Sequence, residues 1–289
     1  MRDKILSRLV KFEIRIRKAV NGHMHGNYKS IFKGSGLEFS DLRTYNFGDD
    51  LRLIDWNTSA KGHGIYIKLF KEEKEQQVFF MVDVSGSQKV GVTGNSKIDI
   101  AKEICGTLAI SAMREASQVG LYCFSDQKEL YLKPQNSMKH GYQLITKLFS
   151  LEPASSKTNL QAAILFTLEI VKKKSVIFLI SDFIDVDYEH NLRALARKHD
   201  LIVIHLYDSR ETALPRLGII PVYELETQKI VWTNTSSNLF RSQIKNTFET
   251  NRVILEQICK ENKANYLPIE SGEDFAGKLI KLFKIRKVS

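Results

Sequence analysis

Three oxygen-bearing side chains follow a run of large apolar residues in the segment FFMVDVSGS, residues 79–87. Asp83, Ser85 and Ser87 are spaced two residues apart, directly after the apolar run. The apolar half predicts a buried strand that ends where the polar half begins. A turn at that point would aim a carboxylate and two hydroxyls at one position. The competing interpretation is a tight turn that caps the next helix, with Asp83 bound to backbone amides.

A second carboxylate and a third hydroxyl occur in comparable places. The apolar run SVIFLIS at 175–181 leads into Asp182, and the segment SKTNLQAAI places Thr158 just before a predicted helix, where its hydroxyl would cap the helix or bind a ligand. Ligands of open α/β sheets bind at the carboxyl ends of the strands, so we expect these side chains to converge. Oxygen ligands without His or Cys favour Mg²⁺ or Mn²⁺ over zinc or copper.

The sequence therefore predicts a metal site formed by Asp83, Ser85, Ser87, Thr158 and Asp182. We expect the three hydroxyls to bind the ion directly and the two carboxylates to hold its water molecules. An ion bound in this way keeps much of its positive charge, and it would accept a Glu or Asp side chain from another protein.

The elements that must position these residues alternate along the chain from residue 65 onward. Strand patterns occur at residues 65–70, 76–84, 119–125, 128–134, 175–181 and 201–208, with two short strands within 217–232. Helical patterns occur at 96–115, 137–150, 159–172, 188–198, 237–263 and 273–286. Strands that are apolar on both faces and alternate with helices predict a doubly wound, mainly parallel α/β sheet with helices on both faces.

The N-terminal part of the chain follows a different pattern. Residues 3–20 have the spacing of an amphipathic helix, and residues 21–64 are predicted to be irregular. Alternating acids and arginines in residues 41–56 are expected to pair with one another and hold this segment in place. We divide the chain into an N-terminal extension, residues 1–75, and an α/β domain with C-terminal helices, residues 76–289.

Composition and charge limit the class of protein. Apolar residues make up 43% and charged residues 26% of 289 residues, as in globular proteins. The net charge of +10 is concentrated in residues 1–33 and 278–289. Cys105, Cys123 and Cys259 lie far apart and form no zinc-binding pattern. The aliphatic runs are too short to cross a bilayer, and the sequence has no signal-peptide pattern, so we expect a cytoplasmic protein.

Two levels of family resemblance add to these predictions. DVSGS resembles the DxSxS signature of the metal-ion-dependent adhesion site in von Willebrand factor A domains, and Thr158 and Asp182 stand where that family's later ligands would be expected. Residues 33–75 and 179–228 are similar to the motifs of the bacterial domain of unknown function 58 family, although SRE at 209–211 replaces the more usual PRE.

That resemblance implies an N-terminal extension followed by a von Willebrand A-like domain. Genes of the family commonly accompany a MoxR-type AAA+ ATPase. The implied role is that of a partner or adaptor of such an ATPase in the assembly or maturation of protein complexes.

Our leading hypothesis is a non-enzymatic protein-interaction module that depends on a divalent cation. One alternative is nucleic-acid or anionic-surface binding through the basic termini. Another is a cryptic metal-dependent hydrolase. No enzyme motif supports the latter, because GVTGNSK at 91–97 has Ser96 where a phosphate loop needs glycine, and DVSGS matches neither the aspartyl-phosphate motif nor GxSxG.

Overall fold

The computed structural model describes residues 37–62, 64–72, 76–92, 94–213, 215–224 and 229–288. The predicted helix at 3–20 lies outside the described residues. The strands are β1 (Leu37–Thr44), β2 (Tyr66–Glu72), β3 (Gln77–Asp83), β4 (Gly91–Val92), β5 (Asn95–Ser96), β6 (Gln118–Phe124), β7 (Lys128–Gln135), β8 (Val176–Ser181), β9 (Asp200–Tyr207), β10 (Ile219–Glu224), β11 (Lys229–Asn234) and β12 (Asn265–Glu270).

The helices are α1 (Trp56–Ser59), α2 (Lys97–Arg114), α3 (Met138–Ser150), α4 (Leu160–Ile170), α5 (Glu189–Lys198), α6 (Ser209–Thr212), α7 (Asn238–Glu261) and α8 (Phe275–Val288). Short 3-10 helices lie at Leu51–Leu53 and Gly86–Lys89. Among the described residues, no helix combines the length and apolar character needed to cross a bilayer.

A six-stranded sheet with the order β12-β9-β8-β3-β6-β7 forms the centre of the fold. Neighbouring strands are parallel, except that the edge strand β7 is antiparallel to β6. When these strands are numbered along the chain, starting at β3, the order is 3-2-1-4-5-6, the arrangement of a doubly wound sheet. The predicted fold class is therefore confirmed. The strand order reverses between β3 and β8, which is the position where such sheets bind ligands.

The two faces of this sheet bury two separate apolar clusters. Successive side chains of a strand point to opposite faces. Phe80 accordingly packs in the cluster beneath α2, where it stacks on Phe178 with ring centroids 5.2 Å apart. Phe79 belongs to the opposite cluster, with Leu192 of α5. This burial on both faces explains why β3 and β8 are continuous apolar runs rather than alternating patterns.

A capping box fixes the start of α2 beside the sheet. The Ser96 hydroxyl accepts a hydrogen bond from Asp99 N, and the Asp99 carboxylate accepts one from Ser96 N. Two backbone amides that the helix leaves without partners are thereby satisfied. The cap holds Lys97, the first residue of α2, in a fixed orientation.

The segment predicted to be irregular contains a strand. β1 pairs antiparallel with β2 in a two-stranded sheet of its own, so the prediction for residues 37–44 is wrong. The prediction of internal ion pairs in this region is confirmed, because Arg43 donates two hydrogen bonds to Asp49, of 2.7 and 2.8 Å. The proposed boundary after residue 75 falls between two sheets, and the division into domains remains a prediction.

The edge strand β12 was also absent from the sequence-based assignment. Its sequence NYLPIE carries Pro268, which cannot donate a hydrogen bond to a neighbouring strand. Among the described strands, its one partner is β9, along one side. An edge position tolerates proline for this reason, and the proline weakened the sequence signal.

Candidate metal site

The ends of β3 and β8 bring the two predicted carboxylates to the point where the strand order reverses. Asp83 is the last residue of β3, and Asp182 directly follows β8. The Ser181 hydroxyl donates a hydrogen bond of 2.7 Å to Asp83 Oδ2 and so joins the two strand ends. Asp83 is fully buried, and Asp182 is 4% exposed.

The turn after β3 brings the two predicted serines together. Asp83 Oδ1 accepts a hydrogen bond of 2.9 Å from Ser85 N, which fixes the bend. Ser85 Oγ and Ser87 Oγ then lie 3.1 Å apart. Ser85 precedes the 3-10 helix Gly86–Lys89, but its side chain makes no capping hydrogen bond to that helix. The turn is therefore present, and Asp83 binds a backbone amide as the competing interpretation expected, whereas the Ser85 side chain does not cap the helix.

The segment that carries Thr158 lies against this turn. Gly86 N donates a hydrogen bond of 2.7 Å to Ser156 O, two residues before Thr158. The side chain that caps α4 is that of Asn159, which accepts a hydrogen bond from Ala162 N. Of the two roles considered for the Thr158 hydroxyl, the capping of α4 thus falls to its neighbour. Binding of a ligand by Thr158 remains a prediction.

The donor atoms fit a small divalent ion. Mg²⁺ binds six oxygens at 2.0–2.1 Å, so two ligands at adjacent corners of its octahedron lie about 3 Å apart. The Ser85 and Ser87 hydroxyls, which form a hydrogen bond of 3.1 Å with each other, lie at about this separation. Within the described part of the chain, no group of three or more His, Cys, Asp or Glu side chains is placed to hold a metal. An ion at this position would therefore depend on the hydroxyls, and this ligand set remains a prediction.

The charge of Asp83 gives a second reason why a cation fits. Its carboxylate accepts hydrogen bonds from Ser85 N, Gln88 Nε2 and Ser181 Oγ, all of them neutral donors. Burial, together with the nearby negative charge of Asp182, raises the pKa of Asp83 to about 7. A buried carboxylate without a positive partner is costly. A divalent ion beside it would remove that cost.

A fully buried lysine, absent from the predicted site, binds the other carboxylate. Lys97 Nζ lies 2.7 Å from Asp182 Oδ2 and 2.6 Å from Glu211 Oε1, and its side chain is 0% exposed. Burial alone would lower the pKa of Lys97, but the charges of Asp182 and Glu211 raise it above its usual value. Burial also raises the pKa of Glu211. Asp182 thus has an ammonium partner, and its predicted part in holding the water of a metal ion remains untested.

The sequence carried one signal for this lysine. Lys97 has the spacing of the buried face of α2, since Ala101, Ile104 and Leu108 follow it at intervals of four, three and four residues. A lysine on an apolar helix face needs a buried partner. The identity of that partner was not accessible, because Asp182 and Glu211 lie 85 and 114 residues away.

Comparison with known proteins agrees with the motifs. An uncharacterized protein of Mycobacterium bovis, Mb1516, is 22% identical over 227 residues, which cover 78% of this chain and 72% of the relative. The crystal structure of the conserved hypothetical protein BatB from Bacteroides thetaiotaomicron has a TM-score of 0.49 at 16% identity and covers 74% of this chain and 100% of its own.

A mussel byssus protein, proximal thread matrix protein 1 with a zinc-occupied MIDAS motif, has a TM-score of 0.44 at 17% identity, with coverage of 74% and 47%. The sheet described above is doubly wound and mainly parallel, as the resemblance implied. Residues 41–254 match the model of the family described as protein of unknown function DUF58, and the chain belongs to that family.

Proposed function

We propose that this chain is a non-enzymatic protein-interaction module whose binding depends on Mg²⁺ or Mn²⁺. The observation that carries the proposal is the pair of serine hydroxyls, 3.1 Å apart, beside the fully buried Asp83. In this proposal Ser85, Ser87 and Thr158 bind the ion directly. Asp83 and Asp182 hold its water molecules and orient the hydroxyls.

The surroundings of the site favour an acidic partner. Neutral hydroxyl ligands leave the ion with most of its positive charge, so a carboxylate from another protein would complete its coordination. A cavity of about 380 Å³ opens beside Ser85, and its wall includes Lys89, Lys102 and Glu152. Two lysines and one glutamate give this wall a net positive charge. A Glu or Asp side chain that approached the ion through the cavity would therefore be attracted.

Hydrolysis is a weaker use of the same site. A metal-dependent hydrolase needs a group that takes a proton from the metal-bound water. Asp83 has a pKa near neutrality, but it is fully buried and its oxygens already accept hydrogen bonds. His205 is also unsuited to this role, because its Nδ1 is already hydrogen-bonded to the Tyr266 hydroxyl at 2.7 Å. Activity against a panel of phosphoesters that disappears in Asp182→Ala would reverse our preference for binding.

The proposed partner is a MoxR-type AAA+ ATPase or a client protein of that ATPase, and the proposed place is the cytoplasm. The support for this assignment is that the chain belongs to a family whose implied role is that of a partner of such an ATPase. A partner with an acidic side chain at its contact surface would meet the requirement of the metal.

Capture of a MoxR-type AAA+ ATPase from the same organism tests the proposal. We expect immobilised wild-type protein to retain the ATPase in Mg²⁺ and to lose it in EDTA. Asp83→Asn should lose it in both conditions, since the variant lacks the buried negative charge. Asp274→Asn is the matched control, because Asp274 is exposed and asparagine preserves its hydrogen bond to Ala276 N. Equal retention in every condition would refute the metal-bridged mechanism.

One observation favours nucleic-acid or anion binding as a second candidate function. A groove of about 640 Å³ along α5 is lined by His190, Arg193, Ala194, Arg197 and Lys198. Side chains of this kind bind phosphate groups. The prediction named the basic termini, of which residues 1–33 lie outside the described residues and residues 278–288 belong to α8. The groove along α5 is an additional place to test the idea. Binding of a 20-nucleotide RNA or DNA at low salt should weaken in Arg193→Glu, and undetectable binding by the wild type would dismiss it.

A further inference from the structure

The ammonium group of Lys97 is a resident positive charge at the edge of the candidate metal site. It lies within 2.7 Å of both Asp182 and Glu211, and no part of its side chain is exposed. A lysine is rarely buried to this extent unless carboxylates pair with it. Neither the metal ligands nor the interaction proposal accounts for this residue.

Both carboxylates are fixed toward Lys97. One oxygen of Asp182 accepts a hydrogen bond from the ammonium, and the other accepts one from Ile184 N. Glu211 also gives one oxygen to the ammonium, and its other oxygen accepts a hydrogen bond from Asp208 N. The ammonium therefore joins α2, the end of β8 and α6 at a single point.

The Asp182 carboxylate would also attract a divalent ion. Asp182 lies next to Ser181, whose hydroxyl is bound to Asp83, so the ammonium and an ion at the predicted ligands would share one negative neighbourhood. Two cations close to one buried carboxylate repel each other, and this repulsion is strong where water is excluded. We propose that Lys97 is a tethered cation that competes with the divalent ion for Asp182 and so limits the affinity of the site for that ion.

This inference rests on the proposed function and adds its regulation. A site with lowered affinity would hold its ion firmly only when a partner contributes another carboxylate. The partner's carboxylate would supply the negative charge that Asp182, because it is paired with Lys97, does not give to the ion. Association and metal binding would then reinforce each other, and the complex would separate when either is removed.

The test is a titration of the full chain with Mn²⁺, followed by the electron paramagnetic resonance signal of the free ion. Lys97→Met removes the competing charge and keeps the length of the side chain, so its dissociation constant should fall at least about tenfold. In Glu211→Gln, Lys97 is retained but loses the charge of Glu211, so it should bind Asp182 more strongly. The dissociation constant of this variant for Mn²⁺ should therefore rise. Lys139→Met removes an equal charge from an exposed position on α3, next to His140, which contacts the start of β6 at the opposite edge of the sheet. This control should leave the constant within about twofold.

Opposite changes in the two site variants support the inference, because general damage to the site would weaken both. Affinity in folded Lys97→Met that is equal to or below that of the wild type overturns it and leaves the proposed function standing. Binding by Lys97→Met without detectable binding by the isolated wild type also supports the inference, and capture of the partner in Mg²⁺ and in EDTA then decides the metal dependence of the natural protein. If Lys97→Met does not fold, Glu211→Gln decides, and an unchanged constant in that variant overturns the inference.

Discussion

The Ser181 hydroxyl donates a 2.7 Å hydrogen bond to Asp83 Oδ2, across the two strands between which the order of the sheet reverses. The same hydroxyl oxygen accepts a hydrogen bond of 3.1 Å from Phe183 N. Ser181 therefore holds the carboxylate in place and fixes the turn that leaves β8. This contact orients the candidate metal site before any ion binds.

Replacement of Ser181 by alanine tests this contact. Ser181→Ala leaves a buried carboxylate oxygen and a backbone amide each without one hydrogen bond, which should lower the free energy of unfolding by about 1–3 kcal/mol. Urea denaturation measures the change. Ser242→Ala is the control, since Ser242 bonds a carbonyl of its own exposed helix and its loss should change stability by less than about 0.5 kcal/mol. Equal stability of the two variants would show that the Ser181 contact does not organise the site.

Metal binding should stabilise the folded chain. At Mg²⁺ concentrations about 100 times the dissociation constant, the wild type should gain about 2.7 kcal/mol, seen as a rise in the melting temperature. Asp83→Asn should lose this response, because the amide does not compensate a divalent charge, and Asp274→Asn should retain it. A rise of the same size in Asp83→Asn would show that Mg²⁺ acts at another place.

His199 should make the fold sensitive to acid. It is 3% exposed, and its Nδ1 accepts a hydrogen bond from Ser175 N at 3.3 Å. Burial, with the charge of Lys198, lowers the pKa of His199 to about 4. A folded-state pKa below that of the unfolded chain means that protons favour unfolding, so this stability is present above about pH 6.5 and is lost as the pH falls toward 4.

The matched variants are His199→Gln and His190→Gln, the latter at an exposed position on α5. Between pH 6.5 and 4, the wild type should lose about 1–3 kcal/mol more than His199→Gln. His190→Gln should follow the wild type. Parallel pH profiles for wild type and His199→Gln, measured by urea denaturation, would contradict this assignment.

Gly120 tests the packing of the sheet itself. A Cβ atom at this position would lie 2.7 Å from Phe79 Cδ2 and 2.7 Å from Pro134 Cγ. Gly120→Ala should therefore cost about 1–3 kcal/mol through overpacking. At Gly277 in α8 the nearest atom is 4.0 Å away, so Gly277→Ala should be neutral or stabilising by up to about 1 kcal/mol. Equal melting temperatures for the two variants would contradict the packing of β6 against β3 and β7.

The sequence predicted most of the sheet because β3, β8 and β9 are buried on both faces. Each is a continuous apolar run, and such runs are readily recognised. β12 was missed because Pro268 lowers the strand signal at an edge where proline is tolerated. β1 was missed because LEFSDLRT mixes charged residues with apolar ones. The strand is formed by pairing with β2, a relationship that the local sequence pattern does not show.

In the candidate site, the sequence predicted the relationships between neighbouring residues but not those between residues far apart in the chain. The spacing of Asp83, Ser85 and Ser87 is local, and the turn that unites them was predictable from five consecutive residues. The ammonium of Lys97 reaches carboxylates far away in the sequence. Helical spacing identifies Lys97 as buried, but only the crossing of α2 over the ends of the strands identifies its partners.

The location of the ion is the most direct test of the central claim. Crystals of the full chain soaked in Mn²⁺ would give an anomalous difference peak at any ordered ion. The proposed function predicts a peak within about 2.3 Å of the hydroxyl oxygens of Ser85, Ser87 and Thr158, and its loss in Asp83→Asn. A fully occupied peak elsewhere, or the absence of a peak at these three oxygens in crystals of the partner complex as well, would contradict the account.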